Sequence, residues 1–263
     1  MKKKYLYNTK MKSQNVIFKD KKGLLIIAGP CTFGSYDEIY SIAKELKKLG
    51  ITYMRAGVFK SRTNPYSFQG MHEEGMKELL KVKKELNIKI VVELMTIEQV
   101  KKYGNDIDII QIGSRNMYNY DLLKEVGKLK KPILLKRGFS ATYHEWLMAA
   151  EYILNEGNSN VILCERGIRS FNSNETRNVL DLQAIPYIHR HSKLPIIVDP
   201  SHASGEQYMV PSMSKAAIVA GADGLIIETH INPKQSLCDS RQTVDMRILK
   251  SIINFKEKNK YED

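Results

Sequence analysis

The chain has 263 residues, with 41 Lys+Arg against 29 Asp+Glu and a formal net charge of +12. Hydrophobic residues make up 43% and charged residues 27%, which excludes disordered and collagen-like classes. The longest apolar runs reach about seven residues, far short of the ~20 a membrane helix needs, so no membrane partner is expected. Three scattered cysteines, Cys31, Cys164 and Cys238, do not make a disulfide scaffold and point to a reducing, cytoplasmic setting.

The charge is unevenly placed. Residues 1–22 hold eight lysines against Asp20, a net of +7, which leaves +5 for the other 241 residues. This segment has no apolar stretch behind its lysines, so it is not a signal peptide. It is expected to be a solvated basic extension, with NVIFKDKKG as the start of a hairpin closing a barrel bottom. A nucleic-acid-binding role through these lysines is the reading of a different class. No aromatic-interleaved basic motif or recognition helix supports it, and no nucleic-acid partner is expected.

From residue 23 onward one rhythm repeats. Apolar runs occur at 24–28 (LLIIA), 52–59 (TYMRAGVF), 89–94 (KIVVEL), 108–113 (DIIQIG), 132–136 (PILLK), 161–165 (VILCE), 195–199 (PIIVD) and 224–228 (GLIIE). Amphipathic stretches such as YDEIYSIAKELKKLG and MHEEGMKELLKVKKELN lie between them, the first closed by a glycine suited to a helix C-cap. Near-continuous apolar strands indicate a sheet covered on both faces, hence parallel strands with helical crossovers. Eight strand–helix units in about 240 residues predict an α/β fold of the (β/α)8 TIM-barrel type over residues 23–263. A doubly wound open sheet is the alternative, but neither GxGxxG nor GxxxxGK[ST] is present.

The active site of such a barrel forms at the C-terminal strand ends. Those positions hold Cys31, then Arg55 with Lys60 and Arg62, Glu93, Arg115, Lys136 with Arg137, Glu165 with Arg166, Asp199 with His202, Glu228 with His230, and finally Asp239. Each alone has a bland reading: a lone cation is a solvated charge, a lone cysteine a small buried hydrophobe. Convergence changes the balance, because Arg55, Lys60, Arg62, Arg115, Lys136 and Arg166 meeting at one mouth repel one another unless an anion binds there. A ligand with phosphates or carboxylates is therefore expected. Cys31, His202, Glu228 and Asp239 form a mixed S/N/O set suited to one divalent metal ion such as Mn, Fe, Co or Zn, although their wide separation makes this an argument from placement alone. Glu165 and Asp199 are read either as catalytic or as carboxylates that pair with arginine or cap a helix. His72, His144, His189 and His191 are assigned no chemistry.

The motifs AGPC, RAGVFKSRTNPYSFQG, QIGSRNMYN, LLKRG, ERGIRSF with TRNVLDL, VDPSHASG and GADGLIIETH with CDSRQ, in this order over residues 20–245, closely resemble 3-deoxy-D-arabino-heptulosonate 7-phosphate (DAHP) synthase of the type I-beta branch. The resemblance implies a barrel, a divalent metal and a homo-oligomer, usually a tetramer, with a dimer as the other expectation. The implied reaction condenses phosphoenolpyruvate with erythrose 4-phosphate and releases phosphate, the first step of the shikimate route. By the same resemblance, Cys31, His202, Glu228 and Asp239 match the metal ligands. Arg55, Lys60, Arg115, Lys136 and Arg166 match the phosphoenolpyruvate-binding cations. Gly113, Ser114 and Glu93 border that pocket, and Arg62 and Thr63 match the holders of the sugar phosphate. Lys60, Arg55 and Lys136 are expected to act at the reacting atoms, with Lys60 or a water on the metal as proton donor.

The related 3-deoxy-D-manno-octulosonate 8-phosphate synthases take arabinose 5-phosphate and carry a different loop after the second strand. Lys60-Ser61-Arg62-Thr63-Asn64 favours the DAHP type. Ser61, Asn64, Ser114 and Ser240 depart from the usual residues without removing a charged or ligating group. Cys238 is expected to reach Cys31, so that oxidation of the metal-free chain joins them. Residues 1–22 are too short for a ferredoxin-like or chorismate-mutase module, so a core-only enzyme without domain-mediated feedback inhibition is expected.

Overall fold

The computed structural model describes residues 5–8, 23–60, 62–171 and 175–258. Ser61, the expected hairpin before Gly23 and the last five residues lie outside them. Eight strands close into one parallel barrel in sequence order: β1 (Leu25–Gly29), β2 (Tyr53–Arg55), β3 (Lys89–Glu93), β4 (Ile109–Ile112), β5 (Ile133–Lys136), β6 (Val161–Glu165), β7 (Ile196–Val198) and β8 (Gly224–Glu228). Strand β8 returns to β1 with Gly224 opposite Leu25 and Glu228 opposite Gly29. The predicted (β/α)8 fold is the observed one.

Helices α1 (Tyr36–Lys48), α2 (His72–Leu86), α3 (Ile97–Tyr103), α4 (Tyr120–Gly127), α5 (Tyr143–Asn155), α6 (Ala184–His191), α7 (Pro200–Ser204), α8 (Val210–Val219) and α9 (Met246–Lys258) surround the strands. Their starts are written in the sequence. Ser35, Thr96 and Asn119 accept the third-residue N–H of α1, α3 and α4, and Thr142 with Glu145 makes a reciprocal capping box on α5. Helix α1 ends just before Gly50, which takes φ 75°, as the sequence predicts. No described helix is long and apolar enough to cross a membrane.

Two apolar layers result. The outer one packs helices on the strands and includes the fully buried Trp146, Phe33 and Met76. The inner one fills the barrel with Leu25, Ile27, Val91, Ile109, Leu134, Ile162, Cys164, Ile197 and Ile226. Because side chains alternate along a strand, a residue two places beyond an interior one faces the barrel axis again, now at its open end. Val91 thus leads to Glu93, Leu134 to Lys136, Cys164 to Arg166, Ile197 to Asp199 and Ile226 to Glu228. The period of the strands positions the site.

Two expectations are corrected. The second apolar run is not one strand, because β2 ends at Arg55. Ala56, Val58 and Phe59 are nonetheless buried, as loop residues packed beneath α2, so their hydrophobicity reports burial and not pleating. A Cβ at Gly57 would lie 2.0 Å from the Cys31 carbonyl oxygen, which ties this loop closely to the end of β1. The expectation of a solvated extension is corrected only within residues 5–8, which hold none of its lysines and of which Tyr7 is buried. Residues Leu6–Asn8 form a 3-10 turn against α5. The Leu6 and Tyr7 N–H groups donate to Glu151 at 2.7 and 3.2 Å, while the Lys193 N–H donates to the Tyr7 carbonyl at 2.8 Å. Tyr7 is buried, which is worth more than solvating it.

Candidate active site

A cavity of about 280 Å³ opens at the C-terminal end of the barrel. Its walls carry Lys60, Arg62, Thr63, Glu93, Gly113, Ser114, Arg115, Lys136, Arg166, His202 and Asp239 of the predicted set, together with Asn64, Ser67, Phe139 and Arg177. Arg55, Cys31 and Glu228 lie beneath this lining. Arg55 Nη2 stands 3.1 Å from Glu228 Oε1, and its Nε and Nη1 are buried without a hydrogen-bond partner. Burial opposes the charge on Arg55, but Glu228, Cys31 and Asp199 outweigh it and raise its pKa.

At one side of the floor, ligand atoms of Cys31, His202, Glu228 and Asp239 all lie within 4.8 Å of one another. Each is held from behind. His202 Nδ1 lies 2.7 Å from Asp199 Oδ2, which assigns the proton to Nδ1 and leaves Nε2, 3.2 Å from Glu228 Oε1, with its lone pair toward the cluster. Gln242 Nε2 donates to Glu228 Oε2 at 2.6 Å, and Gln242 Oε1 accepts from Arg177 Nη1 at 3.0 Å. Arg177 also reaches Asp239 Oδ1 at 3.4 Å. Asp239 holds a left-handed backbone, φ 56°, uncommon for a residue with a side chain.

Cys31 Sγ donates to Asp239 Oδ2 at 3.1 Å and accepts from Lys60 Nζ at 3.0 Å. The interaction with Cys238, together with burial, raises the Cys31 thiol well above its ordinary range, while the interaction with Cys31 lowers the Cys238 thiol against the effect of burial. Burial would raise the carboxylates too. His202 and Arg55 overcome this for Glu228, and His202 and Arg177 overcome it for Asp239, so both stay ionised. Burial lowers the His202 pKa against the opposing pull of Asp199 and Glu228. One soft sulfur, one imidazole and two carboxylates, with a buried Glu228 Oε1 lacking a hydrogen bond, fit a divalent transition-metal ion.

The other side is cationic. Lys136 Nζ donates to Asp199 Oδ2 at 2.5 Å, so one carboxylate serves both His202 and Lys136. Burial opposes ionisation of Asp199, but His202 and Lys136 hold it well below the usual carboxylate range. Arg115 Nη2 reaches Thr63 Oγ1 at 3.4 Å, linking the β4 end to the loop after β2. Glu93 accepts from Gln111 Nε2 at 2.9 Å and fills the space beside Gly113, where a Cβ would lie 2.1 Å from Glu93 Oε1. Lys60 remains charged: burial disfavours the ammonium, but Cys31, Cys238 and Glu228 raise its pKa.

Several strand-end groups turn out to be structural. Arg137 pairs with Glu165 at 2.9 Å and Asp181 at 2.7 Å and lies over Tyr143, away from the cavity. This favours the pairing alternative for Glu165. Asp199 caps α7 by accepting the His202 N–H at 2.9 Å, yet its other contacts belong to the site. His230 Nε2 is 2.8 Å from Glu38 and outside the ligand cluster, while His189 pairs with Asp223 at 2.9 Å. Sequence reasoning passed over Arg177 and Phe139, which stand on loops beyond the strand ends that it searched.

Residues 8–261 match the DAHP synthetase I family. The chain is 44% identical over 233 residues to a phospho-2-dehydro-3-deoxyheptonate aldolase of Thermotoga maritima, covering 89% of this chain and 69% of that protein. A 2-dehydro-3-deoxyphosphooctonate aldolase of Geobacter sulfurreducens is 30% identical over 248 residues, 88% of this chain and 90% of that one. Among solved structures, the Thermotoga maritima DAHP synthase superposes with a TM-score of 0.86 at 42% identity, covering 90% of this chain and 69% of that one. Its truncated form gives 0.83 at 40% identity, covering 90% and 87%. With a barrel mouth that joins an S/N/O cluster to a cationic cavity, and with a family match along nearly its whole length, the chain belongs to the DAHP synthetase I family.

Proposed function

We infer that the barrel condenses phosphoenolpyruvate with erythrose 4-phosphate and water to give DAHP and inorganic phosphate. The observation that carries this is one cavity with Arg115, Lys136 and Arg166 on one wall, Arg62 and Thr63 on another, and the Cys31/His202/Glu228/Asp239 cluster at its floor. The higher identity to the heptonate than to the octonate enzyme supports erythrose 4-phosphate as acceptor.

Arg115, Lys136 and Arg166 are assigned the phosphate and carboxylate of phosphoenolpyruvate, with Gly113, Ser114 and Glu93 bordering them. Arg55 offers two buried donors from below. Arg62 and Thr63 are assigned the phosphate of the sugar. Cys31, His202, Glu228 and Asp239 would hold one divalent ion, Mn, Fe, Co or Zn, which when bound supplies Lewis acidity for the aldehyde oxygen. Alignment by the two anion sites brings C3 of phosphoenolpyruvate to the aldehyde carbon. A C–C bond forms there while positive charge develops at C2. Lys60 Nζ delivers the proton to the new alkoxide; water adds at C2 and returns one proton to Lys60, and the C2–O bond to phosphate breaks as the C2 hydroxyl proton passes to the departing phosphate, leaving the ketone.

Residues 23–263 are assigned the catalytic unit, working as a tetramer or dimer in the cytoplasm; sedimentation of the purified enzyme tests the assembly. The decisive assay follows phosphate release from phosphoenolpyruvate with erythrose 4-phosphate or arabinose 5-phosphate, with and without EDTA. Turnover with erythrose 4-phosphate that EDTA abolishes is expected. Preference for arabinose 5-phosphate overturns the acceptor, and full activity in EDTA overturns the metal.

A further inference from the structure

Three guanidinium groups gather on one aromatic ring at the cavity wall. The Arg166, Arg169 and Arg115 Cζ atoms lie over Phe139 at 4.7, 5.4 and 5.6 Å from its centroid. They come from different places: Arg115 from the turn after β4, Arg166 from the first position after β6, and Arg169 from three residues further on. Phe139 itself follows β5 by three residues and lines the cavity. The loops are pinned together, because the Arg169 N–H donates to the Phe139 carbonyl at 2.8 Å.

Like charges this close repel, and among the described residues none of the three guanidinium groups has a carboxylate within ion-pair distance. Arg115 has Thr63 Oγ1 and Arg166 the Gly167 carbonyl, at 3.4 and 3.5 Å, both at the weak end of hydrogen bonding. Before an anion arrives, the counterweight is the negative π cloud of Phe139, within the ~6 Å at which a ring attracts a cation. We propose that Phe139 is a positioning residue that holds Arg115 and Arg166 converged ahead of phosphoenolpyruvate, with Arg169 as a third cation sharing the ring. An aliphatic side chain of similar volume fills the same space without attracting charge. The two arginines then splay apart, and the substrate must gather them on binding.

The proposal rests on the reading of Arg115 and Arg166 as phosphoenolpyruvate-binding groups, and the test separates the two. Phosphoenolpyruvate alone is titrated calorimetrically into the metal-loaded enzyme, and steady-state constants are measured in parallel. Phe139→Leu is expected to weaken phosphoenolpyruvate binding about tenfold while the KM for erythrose 4-phosphate stays within about twofold, and Phe139→Tyr is expected to restore it. Mono-, di- and trifluorophenylalanine at position 139 drain the ring's charge at nearly constant shape, so affinity should fall stepwise with fluorine number at unchanged melting temperature. Wild-type affinity in Phe139→Leu, or a flat fluorine series, overturns the proposal. Failure of the unsubstituted enzyme to bind phosphoenolpyruvate overturns the substrate reading and the proposal with it.

Discussion

The two sides of the barrel mouth are held in different ways. In the Cys31/His202/Glu228/Asp239 cluster every donor has a second partner: Lys60 for Cys31, Asp199 for His202, Gln242 and Arg55 for Glu228, and Arg177 for Asp239. Arg55 and Asp199 stand at strand ends and Gln242 is buried, while Lys60 and the exposed Arg177 reach in from loops. The loop that carries Arg62 and Thr63 is exposed through most of residues 63–68, and its described tie to the far wall is the long contact between Thr63 and Arg115. Rigid support suits a group that stays, since ligand geometry is set before binding. A loose loop suits a substrate that must enter and leave, and such a loop acquires its geometry from the ligand.

The largest effect is expected where that contrast is most direct. Cys31→Ala removes a cluster donor and should abolish metal binding and turnover together; turnover at normal metal content would break the ligand assignment. Oxidation of metal-stripped enzyme comes next. Cys31 and Cys238 are near enough for each thiol to shift the pKa of the other, so dioxygen should take two electrons and two protons and leave an S–S bond. Metal uptake should then be lost until a thiol reductant restores it. Non-reducing mass spectrometry that finds both thiols free would contradict this.

On the loose side, Arg62→Ala should raise the erythrose 4-phosphate KM about ten- to a hundredfold, the scale of a lost charge-assisted contact, with much less change for phosphoenolpyruvate. Equal effects on both substrates would erase the division between the walls. Gly113→Ala places a methyl group against Glu93, and about 1–3 kcal/mol of lost stability is expected from overpacking in chemical denaturation. An unchanged midpoint would show that the Glu93 wall yields.

The smallest effect is a control at the opposite end of the barrel. Its hydrogen bond to Asp223 raises the His189 pKa above the ordinary histidine value. The resulting stabilisation is present below the unfolded pKa and lost as pH rises through the folded one. His189→Gln should therefore lower the melting temperature slightly near pH 6 and leave it unchanged near pH 8, with kcat unaltered. A loss equal at both pH values would show that packing, and not charge, is what His189 contributes.

How far the sequence reached depended on what each residue reports. Continuous apolar runs announced the eight strands, because burial on both faces leaves a pattern no surface strand shares. The same logic overran β2, where Val58 and Phe59 are buried in a loop. Strand-end reading found the cluster and Lys136, since alternation carries interior residues to the mouth. It missed Arg177, which lies twelve residues past Glu165 and reaches the cavity only by the path of a long loop. Phe139 gave no charge signal at all; its neighbours give it meaning.

Asp199 has one more consequence. Its single Oδ2 is shared by Lys136, on the cationic wall, and His202, in the cluster. An anion that draws on Lys136 changes the hold on His202, and a cation that fixes His202 changes the hold on Lys136. Binding at the two places is then thermodynamically linked, and by reciprocity each ligand must alter the other's affinity by the same factor. A carboxylate that does not itself line the cavity thereby couples its two sides.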